Sequence, residues 1–533
     1  MKSFISKYRL SLLSLFSGLL LSCSWPPSPF AFCIFFSWVP LLYVADHTPR
    51  RNHFFLFSFI ALLTWNAVTT WWIWNSTDVG SVVAIIVNSL FMCLPWWGYH
   101  IFKSRLGRMA GYIGIISCWM LFEYIHLSWE LSWPWLTLGN VFASHPDWVQ
   151  WYSYTGAGGG TLWVLVLNVL LYHLIHQQLS GRNLTGRHPK IFSGWVLLLI
   201  CPIAISETGM STAGSPPVTD NIVIVQPDID PYQKFGAVSP AQQVQKLLAL
   251  SEPAVNERTR LLVWPETALD AGVAETDVAT AFVYQPVFEF LKRHPDITLL
   301  TGIETARIYG AQKSTSTAHK SSAGSYYDVF NAALVIKNGQ PLQFYHKSKL
   351  VPGVETLPTF LNFLAPLLEQ FGGTTGGYGR DTAAAAFHVS GSVYVPAPII
   401  CYESIYGGYI TGAVRKGANI LAIITNDGWW GNTPGHVQHL AYACLRAVET
   451  GRWVVRSANT GISAVINDKG HILETRPWDT TGAIRYNIPV YTRITFYVRM
   501  GDYIYRGMSI LAMSLILWNI MSWVRWRRRK RTL

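Results

Sequence analysis

The fold is decided by Pro396-Ala397-Pro398-Ile399-Ile400-Cys401-Tyr402-Glu403, an apolar run that ends abruptly in a cysteine, a tyrosine and an acid. A short apolar run of this kind is typical of a buried strand. Residues 397–400 are therefore predicted as a strand with Cys401 at its carboxyl end. Taken alone, a cysteine in this position is more often a core residue than a nucleophile. Its role therefore depends on the residues around it.

Similar β-branched runs occur on both sides of this strand, at residues 221–225, 260–264, 297–301, 332–336 and 420–425. The apolar positions of residues 240–258 and 437–450 instead follow a helical spacing. Strands that alternate with helices predict a mixed α/β domain. Residues 218–495 are long enough to form one such domain.

The chain outside this domain is far more apolar. The whole sequence is 50% hydrophobic and only 13% charged, which is about half the charged fraction of a typical soluble domain. A membrane span needs about 20 predominantly apolar residues. Eight segments are predicted to span a membrane: residues 9–24, 29–46, 54–75, 81–102, 109–128, 158–178, 191–207 and 506–524.

Lysine and arginine are confined to alternate connections between these segments. The connections after the second, fourth and sixth segments carry the cations, and those after the first, third and fifth carry none. Because positive loops remain in the cytoplasm, both termini are predicted to be cytoplasmic and the α/β domain extracytoplasmic. The net charge of +12 is therefore a signal of topology, and no nucleic-acid partner is expected.

Three regions follow from this pattern. Residues 1–217 are predicted as a membrane domain of seven helices, residues 218–495 as the external α/β domain, and residues 496–533 as a last helix with a basic tail. Tryptophans crowd the external loops of the membrane domain: Trp71, Trp72, Trp74, Trp129, Trp133, Trp135, Trp148 and Trp151. They are expected to form an interfacial aromatic belt, although a structured external cap would use the same residues.

Ionisable side chains follow several of the predicted strands. Glu266 comes just after the strand at 260–264, and Lys347, Lys349 and Glu355 lie close together further along the chain. Each of them alone has an ordinary explanation as a cap or a surface charge. Lys347 and Lys349 are two residues apart and would face the same way on a strand. Chemistry alone therefore does not choose between the two lysines.

Four motifs in this order resemble the nitrilase superfamily: Pro265-Glu266-Thr267-Ala268, Lys347-x-x-Leu350-Val351-Pro352, Cys401-Tyr402-Glu403 and Asn426-Asp427-Gly428-Trp429-Trp430-Gly431. That superfamily has an α-β-β-α sandwich and a Glu–Lys–Cys triad, which the resemblance assigns to Glu266, Lys347 and Cys401. With the membrane segments, nearly the whole chain is similar to the membrane-embedded branch, the apolipoprotein N-acyltransferases. The resemblance implies a periplasmic sandwich inserted between the seventh and eighth transmembrane helices.

The resemblance also implies supporting and substrate-binding residues, namely Glu355, Tyr402, Glu403, Phe235, Asn426, Trp429 and Trp430. The chain departs from the family pattern in two places. Phe235 stands where the family often has a tryptophan, and Val-Pro-Gly353-Val354-Glu replaces the commoner Val-Pro-Phe-Gly-Glu. A different pocket or arm is a hypothesis that accounts for both departures.

The family implies acyl transfer at the bacterial inner membrane, with no cofactor or metal and with a monomeric enzyme. Cys401 would take an acyl chain from a phospholipid as a thioester and pass it to the α-amino group of a diacylglyceryl-cysteine on a lipoprotein. Glu266 would act as general base and Lys347 would stabilise the oxyanion, while Glu355 and Glu403 orient the lysine and the amine. Because carboxylates outnumber the lysine, Cys401 is predicted to rest as a thiol. His436 and His439 are predicted to be structural.

Two other functions remain open from the sequence. One is a membrane-tethered amidase of the nitrilase type, which would share the triad and transfer to water. The other is a transporter or receptor with a non-catalytic nitrilase-like domain. That second function predicts a broken triad, whereas Glu266, Lys347 and Cys401 are all present.

One apolar segment has several possible roles. Residues 357–371 are too apolar for a solvated loop, and a glycine-rich stretch follows at residues 372–379. An apolar arm on a flexible hinge can lie at the lipid surface or gate a site. Ordinary core packing explains the segment equally well.

Overall fold

The computed structural model describes residues 2–179, 188–208, 220–234, 236–356 and 377–531. The chain divides into two compact units. One contains Met1–Trp74, Val79–Gly209 and Asp502–Leu533, and the other contains Asn75–Asp78 and Met210–Gly501. Two sequence predictions lie outside the described residues: Phe235, and the apolar segment at 357–371 with the glycine-rich residues up to 376.

The first unit is helical. Its helices are Lys2–Ser24, Val39–Asp46, Arg51–Thr70, Asp78–Leu106, Arg108–His126, Tyr152–Thr155, Ala157–Leu179, His188–Glu207 and Tyr503–Arg531. Among the described residues, five helical segments are long and apolar enough to cross a membrane: Arg51–Asn75, Asp78–Leu106, Ala157–Leu179, Pro189–Glu207 and Tyr503–Arg528. Two further apolar stretches, Tyr8–Ser24 and Ala31–Asp46, are shorter. The segment predicted at 109–128 forms the helix Arg108–His126.

The segment predicted as a continuous second span is broken in the structure. A 3-10 turn, Ala31–Phe35, precedes the helix Val39–Asp46. The side chain of Asn168 accepts a hydrogen bond of 2.8 Å from the Trp38 amide and donates one of 2.8 Å to the Ile34 carbonyl. Backbone groups freed by a break in an apolar environment need partners of this kind, and no apolar pattern could reveal that Asn168 supplies them.

Part of the tryptophan-rich sequence forms a packed cap within this unit. The connection after Arg108–His126 contains the 3-10 turns Pro134–Leu136, Leu138–Ser144 and Pro146–Trp148. Trp72 and Trp135 are fully buried, and their ring centroids lie 4.8 Å apart. These two tryptophans therefore pack inside the protein, whereas Trp71 and Trp74 are exposed, as expected for an aromatic belt.

The second unit contains two β-sheets. Its described strands are β1 Asn221–Gln226, β2 Thr259–Val263, β3 Thr298–Gly310, β4 His319–Lys320, β5 Tyr326–Lys337, β6 Gln343–His346, β7 Pro396–Ile400, β8 Ile420–Thr425, β9 Val454–Ala458, β10 Ser463–Ile466, β11 Ile472–Arg476 and β12 Gly482–Asn487. The first sheet has the order β12-β1-β2-β3-β5-β4, with β6 beside β5, and the second has the order β11-β10-β9-β8-β7. β7, β8 and β9 are parallel, so the loops that follow them share one edge.

Hydrophobic clusters show how these sheets pack. One cluster contains residues of both sheets, including Leu261 of β2 and Ile424 of β8. The opposite face of the first sheet packs on the helices Pro240–Ser251 and Gln285–Arg293, and that of the second sheet on Gly407–Arg415 and Pro434–Thr450. Each sheet thus buries one face on the other sheet and one on helices. Strands buried on both faces read as continuous apolar runs, which is why β1 and β8 were evident in the sequence.

Several predicted boundaries differ from the structure. β3 and β5 are longer than the five-residue runs at 297–301 and 332–336, because their outer halves are polar and partly exposed. The helix predicted at 240–258 ends at Ser251, just before Pro253, which cannot continue a helix. β11 has no apolar pattern because four of its five residues are exposed.

Candidate active site

Cys401 occupies the turn that follows β7. It begins the 3-10 turn Cys401–Ile405 and adopts a φ of +49°, which a residue with a side chain rarely takes. The residue is buried, with 8% of its surface exposed. Non-glycine residues in this region of φ/ψ space cluster at functional sites. The residues around Cys401 must therefore stabilise the unusual backbone conformation of the residue that carries the thiol.

Glu266 lies in the loop after β2 and is also buried. Its neighbour Thr267 has a φ of +48°. The loop packs directly on the backbone of Gly302 in β3, where an added Cβ would lie 2.6 Å from the Glu266 Cα and 2.4 Å from the Thr267 amide nitrogen. Only glycine permits this approach. The position of Glu266 is therefore fixed by the packing of its own backbone.

Lys347 brings two acidic side chains together. Its Nζ lies 3.2 Å from Glu266 Oε1 and 2.7 Å from Glu355 Oε1, and the residue is 1% exposed. Burial alone favours the neutral amine, but the two carboxylates outweigh it and raise the pKa of Lys347. The lysine is thus a buried, charged hydrogen-bond donor.

The geometry chooses between the two lysines that chemistry alone left open. β6 ends at His346, so residues 347–349 are not a strand and the argument that both side chains face the same way does not apply. Lys349 Nζ instead lies over the rings of Tyr406 and Tyr409, 5.1 and 5.7 Å from their centroids. Of Lys347 and Lys349, it is therefore Lys347 whose side chain contacts the Glu266 carboxylate.

Electrostatics describe the state of the nucleophile. Burial raises the pKa of the Cys401 thiol, the Glu266 carboxylate raises it further, and Lys347 offsets only part of this effect. A thiol in such surroundings carries its proton at neutral pH. The prediction of a resting thiol agrees with this shift.

The carboxylates of Glu355 and Glu403 have different surroundings. Glu355 holds Lys347 and also accepts a hydrogen bond from the Val351 amide at 2.8 Å, as expected for a residue that orients the lysine. Glu403 is fully buried and joins two loops, accepting from the amides of Ser348 at 2.7 Å and Ile400 at 2.9 Å. These contacts hold the two loops together, and the role of Glu403 in orienting the amine stays a prediction. Burial raises the pKa of Glu403 to about 7.

Asn331 of β5 was missed by the sequence analysis. Its Nδ2 donates hydrogen bonds to Glu266 Oε1 at 2.8 Å and to Glu355 Oε1 at 3.3 Å. Its carbonyl also accepts the Lys347 amide at 2.9 Å. The available signal was a single polar residue directly before the apolar run at 332–336, which is too common a pattern to be specific.

Lys234 was also missed. Its side chain is buried, and Nζ lies 2.7 Å from Thr267 Oγ1 and 3.1 Å from the Glu266 carbonyl. Burial lowers the pKa of Lys234 to about 8, with nearby carboxylates opposing the shift. This second lysine supports the loop of Glu266 through its backbone. In the sequence it directly precedes Phe235, which was the only residue singled out there.

The remaining predicted site residues surround this centre. Asn426 contributes its backbone amide, which donates to Glu266 Oε2 at 3.0 Å. Tyr402 is buried against Tyr406. Trp429 and Trp430 are half-buried, in edge-on contact with Tyr232 and His439 respectively.

The side chains of this centre are suited to acyl transfer. A buried thiol, a carboxylate and a cationic donor supply a nucleophile, a base and an electrostatic stabiliser. Within the described ranges, no group of three or more histidine, cysteine, aspartate or glutamate residues is arranged to hold a metal ion. His436 packs on Trp478 with ring centroids 4.4 Å apart, and His439 bonds to Asp427. Both histidines therefore have protein partners.

Comparison with known proteins agrees with this chemistry. The N-terminal domain of apolipoprotein N-acyltransferases matches residues 17–170, and the carbon-nitrogen hydrolase family matches residues 222–494. An apolipoprotein N-acyltransferase of Chlorobaculum tepidum is 30% identical over 510 residues, covering 92% of each chain. One of Thermotoga maritima is 24% identical over 521 residues, covering 94% of this chain and 92% of its own.

Among solved structures, an amidase from Nesterenkonia sp. covers 55% of this chain and 95% of its own, with 15% identity and a TM-score of 0.35. The family matches divide the chain into a helical N-terminal region with apolar helices and a carbon-nitrogen hydrolase fold. Both parts fit a multi-pass membrane protein, and acyltransferase relatives match the chain along nearly its full length. The chain belongs to the apolipoprotein N-acyltransferase family.

Proposed function

We propose that this chain moves an acyl group from a phospholipid to the α-amino group of the diacylglyceryl-cysteine of an apolipoprotein. Glu266, Lys347 and Cys401 are the catalytic residues of this proposal. The observation that carries it is the Lys347 ammonium, which lies 3.2 Å from Glu266 and 2.7 Å from Glu355 beside the buried thiol. Family membership supplies the substrate class.

In the first half-reaction Glu266 takes the proton of the Cys401 thiol as sulfur attacks the ester carbonyl of the phospholipid. The carbonyl oxygen becomes an oxyanion, which the Lys347 ammonium stabilises. A single donor of this kind contributes about 3 kcal/mol in other acyl-transfer enzymes. When the C–O bond breaks, Glu266 returns its proton to the leaving alkoxide. A lysophospholipid departs and the acyl chain remains on Cys401 as a thioester.

In the second half-reaction the neutral amine of the diacylglyceryl-cysteine attacks the thioester. Glu266 accepts the proton that the nitrogen loses, and Lys347 again stabilises the oxyanion. The C–S bond then breaks, an amide forms, and the proton returns to sulfur. The raised pKa of Cys401 makes the sulfur a poor leaving group unless this proton is delivered, so Glu266 is needed in both halves.

The membrane layout agrees with lipid substrates. The alternation of cationic loops supports a catalytic unit on the periplasmic side of the inner membrane, with both termini in the cytoplasm. In this arrangement the α-β-β-α sandwich is inserted between the seventh and eighth transmembrane helices, and the enzyme acts as a monomer. Both substrates are then lipids of the same leaflet, so neither must leave the membrane to reach the thiol.

The proposal is tested by a transfer assay with the full-length protein in detergent micelles. The donor is a phospholipid with isotopically labelled acyl chains, and the acceptor is a synthetic diacylglyceryl-cysteine peptide. We expect the peptide to gain one labelled acyl chain on its amine. Release of labelled fatty acid without N-acylated peptide would contradict the proposal and favour the membrane-tethered amidase.

Two lysine variants form a matched pair for this assay. Lys347→Met removes the donor at the oxyanion, and we expect transfer to fall by about 100-fold to 1,000-fold. Lys349→Met removes a lysine two residues away that lies over Tyr406 and Tyr409, and we expect activity within about threefold of the wild type. Equal losses in the two variants would contradict the role of Lys347.

A further inference from the structure

We propose that His439 is a positioning residue for the nucleophile, supported from behind by Asp427 and Arg456. Through the carbonyl oxygen of Cys401 it holds the main-chain conformation from which the thiol reacts. The inference rests on the proposed role of Cys401 as the nucleophile. These three residues lie on three different elements. His439 belongs to the helix Pro434–Thr450, Asp427 to the turn Asp427–Trp430 and Arg456 to strand β9.

The starting point is the backbone of Cys401 itself. With a φ of +49°, the residue occupies the left-handed region, which disfavours any side chain with a Cβ. Such a conformation persists only where neighbouring groups hold it. The Cβ of the thiol and the carbonyl belong to the same residue, so a group that fixes the carbonyl also fixes the position of the Cβ from which the thiol projects.

Two side chains contact the carbonyl oxygen of Cys401. Ser404 Oγ donates a hydrogen bond to it at 2.8 Å, and His439 Nε2 lies 3.1 Å from it. Ser404 Oγ and His439 Nε2 are also 2.7 Å apart. We assign the ring proton to Nε2, because Ser404 Oγ donates to the carbonyl and both of these oxygens can then accept from Nε2. The histidine and the serine thus form one donor pair on this oxygen.

The other ring nitrogen of His439 is anchored by a buried ion pair. Nδ1 lies 3.0 Å from Asp427 Oδ1 and 3.0 Å from Arg456 Nη2, and the same Nη2 holds Asp427 Oδ2 at 2.5 Å. Thr425 Oγ1 donates a hydrogen bond to Asp427 Oδ1 at 2.8 Å. The side chains of His439, Asp427 and Arg456 are completely inaccessible to solvent.

Charges buried this deeply contribute little to stability by themselves, because desolvation cancels most of their attraction. A buried network is better explained by the unique geometry that it imposes, and here the network ends on the nucleophile. A purely structural network would stabilise the fold without affecting the chemical step. The two roles therefore predict different kinetics for conservative variants.

Substitutions at position 439 separate these roles. His439→Gln places an amide N–H near the position of Nε2, and His439→Leu removes the donor while keeping an apolar side chain of similar size. His436→Leu is the matched control. It lies one turn earlier on the same helix, is also buried, and packs on Trp478.

The experiment measures acylation of Cys401 in a single turnover, with the full-length protein in micelles and saturating phospholipid, by intact mass spectrometry. The thermal unfolding midpoint of each variant is recorded in parallel. We expect His439→Leu to lower the maximal acylation rate at least tenfold with little change in the phospholipid concentration at half-maximal rate. His439→Gln should recover most of that loss, and His436→Leu should acylate at the wild-type rate even if its midpoint falls.

The inference is overturned if folded His439→Leu acylates as fast as the wild type, or if His439→Gln is as slow as His439→Leu. It is also overturned if His436→Leu slows acylation as much as His439→Leu, because the effect would then follow packing of the helix. A wild-type protein that transfers acyl chains to the acceptor without any adduct on Cys401 would instead contradict the nucleophile on which the inference rests.

Discussion

The side-chain amide of Asn331 donates a hydrogen bond of 2.8 Å to the Glu266 carboxylate. The same nitrogen lies 3.3 Å from Glu355, so a neutral donor separates the two acids that share Lys347. Without it, two carboxylates would face each other with a single cation between them. We infer that Asn331 keeps Glu266 pointing at the thiol rather than entirely engaged by the lysine.

Asn331→Asp replaces this donor with a third carboxylate. Hydrogen bonds to charged groups contribute about 1.5–3 kcal/mol, and repulsion between like charges adds to the loss. We therefore expect acylation of Cys401 to slow by about 100-fold, measured in a single turnover. Asn467→Asp is the control, because Asn467 accepts hydrogen bonds from the Lys469 and His471 amides through Oδ1 and a carboxylate can do the same. Wild-type acylation in Asn331→Asp would contradict the inference.

Gly302→Ala tests the backbone contact that fixes Glu266. The new Cβ would lie 2.4 Å from the Thr267 amide nitrogen, so the loop of Glu266 must move. Overpacking of this kind costs about 1–3 kcal/mol of unfolding free energy. We expect acylation to fall more than tenfold in protein that remains folded. Gly236→Ala is the control, since no atom of the described residues lies within 4 Å of its added Cβ. Equal activity of the two variants would refute the contact.

The resting state of Cys401 is tested by its alkylation with iodoacetamide, followed by mass spectrometry of the peptide that contains it. Because burial and Glu266 raise the pKa of the thiol, we expect the rate to rise steadily from pH 7 to pH 9.5 without a plateau. A plateau near pH 7 would indicate a preformed thiolate.

His346, which precedes the catalytic lysine, makes stability depend on pH. Burial lowers the pKa of His346, but hydrogen bonds to Asp381 at 3.1 Å and to Glu275 outweigh it and raise the pKa overall. Arg307 also binds Glu275 in this cluster. A raised histidine pKa stabilises the fold fully below its unfolded value of about 6.5 and loses that effect as pH rises through the folded value.

We therefore expect His346→Gln to lower the thermal unfolding midpoint at pH 6 and to lower it less at pH 9. The midpoint is followed by tryptophan fluorescence of the full-length protein. His388→Gln, at an exposed histidine bonded to the Lys416 carbonyl, should leave the pH dependence unchanged. If the loss of unfolding midpoint caused by His346→Gln became larger as the pH rises, the proposed effect of His346 on stability would be contradicted.

The sequence was most informative where one physical signal dominates. Strands buried on both faces are continuous apolar runs, so β1, β2, β7 and β8 were located to within about one residue. Glu266 and Cys401 follow such strands, whereas Lys347 was identified from the order of the four motifs that resemble the nitrilase superfamily. The exposed β11 and the short β4 carry no such pattern and were not predicted.

Other features depend on contacts between distant residues. Asn168 hydrogen-bonds to the backbone of Ile34 and Trp38, and Asn331 lies between the carboxylates of Glu266 and Glu355. These partners are far away in sequence, so a single asparagine does not reveal them. The resemblance already assigned the triad lysine to Lys347, but the physical reason came from the structure, in which β6 ends at His346 and the Lys349 side chain lies over Tyr406. His439 was predicted to be structural, and only the geometry brings its ring to the Cys401 carbonyl.

The central claim is a covalent acyl-Cys401 intermediate, and intact mass spectrometry after incubation with phospholipid and no acceptor tests it most directly. We predict a mass increase of one acyl chain that hydroxylamine removes. Cys401→Ala should abolish it, and Cys444→Ala, a substitution of the other buried cysteine of the same unit, should retain it. No adduct in protein that acylates the peptide acceptor, or an adduct that persists in Cys401→Ala, would contradict the account.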